Sequence, residues 1–215
     1  MWIHNSNLAY NGQNYTYNVY RQNFEDDCSV ACMIMLVKHV LNRDLARTIA
    51  QLWIRQTQRT NTNQTQHANL DIVRYANGQP LRRLAAPDHA WRWGGGRGGA
   101  SVGHIFYSLK RHLPQHPWLW VMPGRGSDVI PIQLADCTPQ RPAIVSIDWN
   151  NNGGGHVALC LGKRPFRPEI VFLDPYHGVV ACNYVNYGNW LDYNTQHSSF
   201  NRGASQGLIS EALFS

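Results

Sequence analysis

The run Val30 to Val37, VACMIMLV, is apolar at every position. A helix carrying it has no face for water and must be buried all round. The stretch that contains it, Gln22 to Val40 (QNFEDDCSVACMIMLVKHV), opens on polar and acidic residues. Asp26 or Asp27 can cap the helix, because a short carboxylate accepts the free N–H groups of a first turn. Cys28 then opens a buried helix. The partial positive charge of a helix N-terminus stabilises a thiolate there. Gln22 stands six positions earlier, and its side-chain amide can aim an N–H at the same point as the backbone N–H of Cys28. Two such donors make an oxyanion hole. The plainer alternative is a buried cysteine that only begins a core helix.

At 215 residues the chain is long enough for one domain with a full core. The net charge is +6, and no five consecutive residues are basic, so an acidic partner fits better than nucleic acid. The five cysteines, Cys28, Cys32, Cys137, Cys160 and Cys182, are an odd number without the spacing of a disulfide framework. The start Met1-Trp-Ile-His-Asn-Ser has neither the basic opening nor the apolar core of a classical signal peptide. The expectation is a cytosolic protein or one exported by another route. No apolar run reaches the roughly 18 residues that span a membrane.

Along the chain, residues 14–20 alternate as a strand, and residues 28–41 form the central helix. Asn42-Arg43-Asp44 stops that helix and caps a second, which runs to about residue 57. Its apolar face is expected at Leu45, Ile49, Leu52 and Trp53. Residues 59–69 read as a polar loop, and residues 70–77 as a short helix closed by Gly78. The glycine-rich stretch 91–103 reads as a mobile loop. Ser101 caps a helix that ends before Pro114. Strands follow at 118–122, 142–149, 156–162, 169–174 and 179–185, with one helical turn near 131–137. Short connections between strands imply an antiparallel meander. The tail from Gly188 reads as loop, with a last helix near 204–213. Helices first and sheet second is an α+β pattern. The expected organisation is a single domain over 1–215, with a helical half at about 20–115, a sheet half at about 116–190, and a cleft between them.

A nucleophilic cysteine needs a base. His156 follows a glycine run and opens a strand, which puts it at the sheet rim. A histidine base needs an acceptor to fix its tautomer. Asp174 ends the next strand, and in an antiparallel pair the end of one strand lies beside the start of the other. His177 is a second candidate base and Asp148 a second candidate acceptor.

Asp27-Cys28-Ser29-Val30-Ala31-Cys32, Gly155-His156-Val157 and Leu173-Asp174-Pro175, with Gln22 ahead of them, resemble in order the motifs of the papain-like cysteine peptidases. The resemblance is to the bacterial branches, the double-glycine leader peptidases and the AvrRpt-type effector proteases. It covers about residues 20–180 as ordered motifs. It implies a papain-like α+β fold, Cys28 as nucleophile, His156 as general base, Asp174 as its orienter and Gln22 as oxyanion donor. It implies no cofactor and no metal. It also implies a protein or peptide substrate in a host or competitor cell, delivery by a dedicated secretion system, and a cognate inhibitor or immunity protein. The leader peptidases carry Gly-Pro where this chain has Ser29-Val30, and the Trp that follows papain's cysteine is absent. Subfamily and substrate therefore stay open. The same thiol chemistry serves deamidases, acyltransferases, transglutaminases and cell-wall amidases. An inactive binding module is a further alternative. A zinc site at Cys28, Cys32, His156 and Cys160 is disfavoured, since strand residues four apart lie roughly 13 Å from each other.

Overall fold

The computed structural model describes residues 1–10, 13–23, 27–62, 100–121, 129–150, 155–164, 168–183, 192–196, 198–200 and 202–215. The expected helix at 70–77, the part of the expected 59–69 loop beyond residue 62 and the glycines at 94–99 lie outside the described residues; residues 59–62 are helical rather than loop. The first two strands, β1 (Trp2–Tyr10) and β2 (Gln13–Tyr20), pair as an antiparallel hairpin. Helices α1 (Cys28–Leu41), α2 (Arg47–Thr62) and α3 (Val102–His112) follow. Then come β3 (Leu119–Val121), α4 (Val129–Ala135), β4 (Ala143–Trp149) and β5 (Gly155–Lys163). The chain closes with β6 (Glu169–Asp174), β7 (Gly178–Asn183), β8 (Asp192–Asn194) and β9 (Gln206–Phe214).

Every side chain from Cys28 to Val37 is buried. One face of α1 packs on β5, and α2, α3 and β2 cover the others. Asn42 ends the helix in the left-handed conformation, at φ 47°, which asparagine tolerates better than most residues. Ser101 caps α3: its hydroxyl accepts from His104 N, while its own N–H donates to His104 Nδ1 at 3.2 Å.

The sheet has core on both faces, which explains why β5 is apolar without alternation. Val157, Leu159 and Leu161 face the α1 core. Ala158 and Cys160 face a second core with Ile130 and Leu134 of α4 and with Tyr193 of β8. Strands β4, β5, β6 and β7 form the expected antiparallel meander. The full order is β3-β9-β4-β5-β6-β7, with β8 also paired to β9. The sheet curls, and β8 reaches round to β7: Cys182 Sγ donates to Asn194 O at 3.7 Å, and Asn194 N donates back to that sulfur at 3.5 Å. This is a mixed structure with one large antiparallel sheet and few helices, compatible with an α+β class. Among the described residues no helix is long and apolar enough to cross a membrane.

Three expectations are corrected. The tail from Gly188 is not loop throughout, since β8 lies at Asp192–Asn194. Residues 204–213 do not form a helix; β9 runs there as an inner strand, flanked by β4 on one side and by β3 and β8 on the other. Its register shifts where Ser146 pairs with Glu211 and Ile147 with Ile209. That bulge resets the alternation at Ser210, so the buried positions do not keep a period of two. The buried face of α2 is also different. Ala50, Gln51, Ile54 and Thr57 point inward, while Ile49 and Leu52 are exposed at 40% and 47%. The helix begins at Arg47, so Leu45 precedes it and sets no phase.

Leu36 is fully buried in the α1 core. Leu36→Ala should lower the free energy of unfolding by about 2–5 kcal/mol, read from the urea midpoint at unchanged slope.

Candidate active site

Cys28 is the first residue of α1 and is 6% exposed. Asp27 stands at the N-cap position but makes no side-chain cap. Its carboxylate turns instead toward α2. There Arg47 Nε donates to Oδ2 at 3.1 Å, Arg47 Nη2 also pairs with Oδ2, and Gln51 Nε2 donates to Oδ1 at 3.5 Å. The expected capping role of Asp27 is therefore replaced by an ion pair between helices. Residues 24–26, including Asp26, lie outside the described residues.

His156 is the second residue of β5 and pairs with Ile147 of β4. Asp174 is the last residue of β6 and faces Gly178 across a three-residue loop. Gly178 has φ +82°, and a Cβ there would lie 2.2 Å from Ser199 Oγ. Glycine alone fits that turn easily. The antiparallel pairing of β5 and β6 brings His156 and Asp174 to one rim. His156 Nε2 donates to Asp174 Oδ1 at 2.8 Å, which leaves Nδ1 outside that bond, and the Cys28 sulfur lies near enough to act electrostatically on the ring.

Asp174 is fully buried. Its Oδ1 also accepts from Tyr176 N at 2.7 Å and His177 N at 2.9 Å, an Asx-type turn. Its Oδ2 accepts from the Tyr193 hydroxyl at 2.7 Å. Burial favours the neutral acid, but the His156 charge and these hydrogen bonds prevail and hold the carboxyl down at about 2. For His156, burial favours neutral imidazole; the Asp174 carboxylate and the Cys28 sulfur overcome it and raise the ring to about 10. Trp149 stacks on the ring at 5.5 Å with an interplanar angle of 21°.

Of the remaining candidates, Gln22 is half-buried and its backbone N–H donates to Pro175 O at 3.1 Å, beside the Asp174 turn. Cys32 lies one helical turn below Cys28, and its thiol donates to Val157 O at 3.3 Å. Burial, with Cys28 and Asp174 nearby, pushes that thiol well up. His177 donates its backbone N–H to Asp174, and burial lowers its ring. Its ring centroid stands 6.3 Å from that of His156. Asp148 is exposed on β4 and pairs through its backbone with Gly155. Cys160 belongs to the far face of the sheet, away from the Cys28 and Cys32 cluster. Among the described residues no group of three or more His, Cys, Asp and Glu is placed to hold a metal ion. Nothing in the sequence singles out Tyr193. It sits in a polar tail, and nothing local connects it to Asp174.

No protein-family model matches the chain, and no curated protein matches it. Among solved structures, the Pseudomonas avirulence protein AvrPphB is similar at 9% identity and a TM-score of 0.36, over 92% of this chain and 96% of that one. The functional reading rests on the side chains of the site.

The His156–Asp174 pair makes a pH-dependent contribution to stability. The raised His156 contributes fully below its ordinary 6.5, and the contribution is lost as pH rises through about 10. The lowered Asp174 contributes above its ordinary 3.8, and the contribution is lost as pH falls through about 2. Both describe one interaction. Asp174→Asn should therefore cost about 3 kcal/mol on the plateau near pH 5, and less toward pH 2 and pH 10, in urea unfolding across that range.

Proposed function

We propose that this protein is a papain-like cysteine peptidase with Cys28 as nucleophile, His156 as general base and acid, and Asp174 as the orienter of His156. The observation that carries the reading is the placement of one buried imidazole between a helix-terminal thiol and a buried carboxylate. The carboxylate holds the ring in its charged form, which is the partner that a thiolate nucleophile needs.

The reaction follows from that pair. The Cys28 sulfur attacks the carbonyl carbon of a peptide bond, and the carbonyl oxygen takes up the charge. In this reading the backbone N–H of Cys28 and the Gln22 side-chain amide donate to that oxygen. His156 Nδ1–H passes its proton to the leaving nitrogen, the C–N bond breaks, and an amine departs. Water then attacks the thioester while His156 takes its proton. The C–S bond breaks, and the acid and the thiolate are released. Asp174 stays ionised and keeps Nδ1, not Nε2, turned to the sulfur. The substrate is a protein or peptide. The motif order extends the proposal to an effector acting on a protein of a recipient cell.

Cys28→Ala should abolish cleavage of a fluorescent protein or peptide-library substrate, lowering kcat/KM by about 10⁴-fold or more, with the unfolding midpoint near wild type. Iodoacetamide labelling at pH 6, read by peptide mass spectrometry, should modify Cys28 well ahead of the other four cysteines. An ordinary thiol, with a pKa of about 8.5, reacts slowly there. Full cleavage by Cys28→Ala would sink the proposal.

A further inference from the structure

The residue before the proposed nucleophile is an aspartate, which is a paradox on electrostatic grounds. A carboxylate at the N-cap ordinarily accepts the free first-turn N–H groups. Here it would compete with the Cys28 sulfur for them and place a like charge beside a thiolate. The structure avoids both. Asp27 makes no side-chain cap. Its side chain is 5% exposed and is drawn sideways to half-buried Arg47 and buried Gln51, one turn apart on α2. Arg47 Nε and Nη2 both reach Oδ2, and Gln51 takes Oδ1.

We propose that Arg47 is a positioning residue for the Cys28 thiolate: its ion pair with Asp27 holds that carboxylate off the first turn of α1 and cancels its charge, leaving the helix N-terminus to the sulfur. The inference rests on the peptidase reading above and adds a residue to it. Arg47 touches no reacting atom. It acts through Asp27.

Other charged groups face this corner, and all stay constant in the test. From the hairpin come the Met1 amino group, lowered by burial and by Arg47, and Tyr20, raised by burial with Arg47 and Asp27 nearby. From the sheet come His156 of β5 and Asp174 of β6, and from α1 itself Cys32.

The test is the iodoacetamide rate of each cysteine from pH 4 to pH 10, read by peptide mass spectrometry on the full chain. Wild type is compared with Arg47→Met, Arg47→Lys, Asp27→Asn and the double variant Asp27→Asn/Arg47→Met. Arg47→Met leaves an unopposed carboxylate, so the midpoint of Cys28 reactivity should move up by about one pH unit. Asp27→Asn removes the carboxylate charge and keeps the guanidinium beside the first turn of α1, so the midpoint should move down by a similar amount. The double variant should return it toward wild type, and Arg47→Lys should lie between wild type and Arg47→Met. A merely structural ion pair would move melting temperatures in one direction and leave the midpoints together. If Arg47→Met does not fold, Asp27→Asn answers alone, by the sign of its shift. A fast wild-type Cys28 whose midpoint stays put in Arg47→Met or in Asp27→Asn overturns this inference and leaves the peptidase reading standing. A wild-type Cys28 no faster than the other four cysteines overturns both.

Discussion

A fully buried carboxylate is costly unless nearly all of its hydrogen-bonding capacity is met. Asp174 is such a group, and its donors come from three separate parts of the chain. His156 belongs to β5, the N–H groups of Tyr176 and His177 to the β6–β7 turn, and the Tyr193 hydroxyl to β8. Tyr193 reaches Asp174 because the sheet curls far enough for β8 to meet β7. The ring fills the inside of that curl against Phe172, at 5.2 Å, and Trp149, at 5.9 Å. The polar end of Tyr193 and the apolar body of the second core therefore depend on the same curvature. Flattening the sheet would empty the core and strip the carboxylate together.

The other half of the site is set by the packing of α1. Residues four apart on a helix stack on one side. Cys32 therefore lies directly beneath Cys28, and its thiol bonds the carbonyl of Val157. Val157 follows His156 in β5. The contact fixes how far α1 is slid along β5, and with it where the Cys28 sulfur meets the imidazole. The Asp27–Arg47 pair acts at the same end of the helix, tying its first turn to α2. Sliding is thus fixed from the sheet side and rotation from the helix side. The long buried run of α1 supplies the free energy that holds both.

The parts of this arrangement that are local in sequence were legible there. An apolar run without a polar face must be buried, whatever surrounds it. Four consecutive strands with short connections leave little choice but a meander, and a meander puts His156 beside Asp174. The parts that depend on distant partners were not legible. Residues 208–213, LISEAL, have helix-forming composition, yet β4, β3 and β8 pair with the backbone of β9, and a bulge at Ser210 hides the strand period. Leu45 suggests a false apolar face for α2 in the sequence, because the helix starts two residues later. Asp27 looks like a cap in sequence because Arg47, twenty residues on, is invisible from there. Tyr193 is hidden for the same kind of reason, since its partner lies across a curl that no local pattern encodes.

All five thiols are buried and unpaired in disulfides, so burial alone cannot choose among them. The choice comes from charge. Cys160 sits on the far face of the sheet, where burial pushes its thiol well up, as does its neighbour Cys137. Cys182 shares that core and is engaged by the backbone of Asn194. Cys32 donates its proton to a carbonyl and has a carboxylate nearby, both of which favour the thiol. Among the described residues, Cys28 is the cysteine that meets an imidazole which a carboxylate holds in its charged form. A charged imidazole beside a thiol favours the thiolate over the thiol. Burial strengthens the Coulomb attraction between His156 and Asp174, and in the proposed reading the charge it keeps on the ring is what sets Cys28 apart.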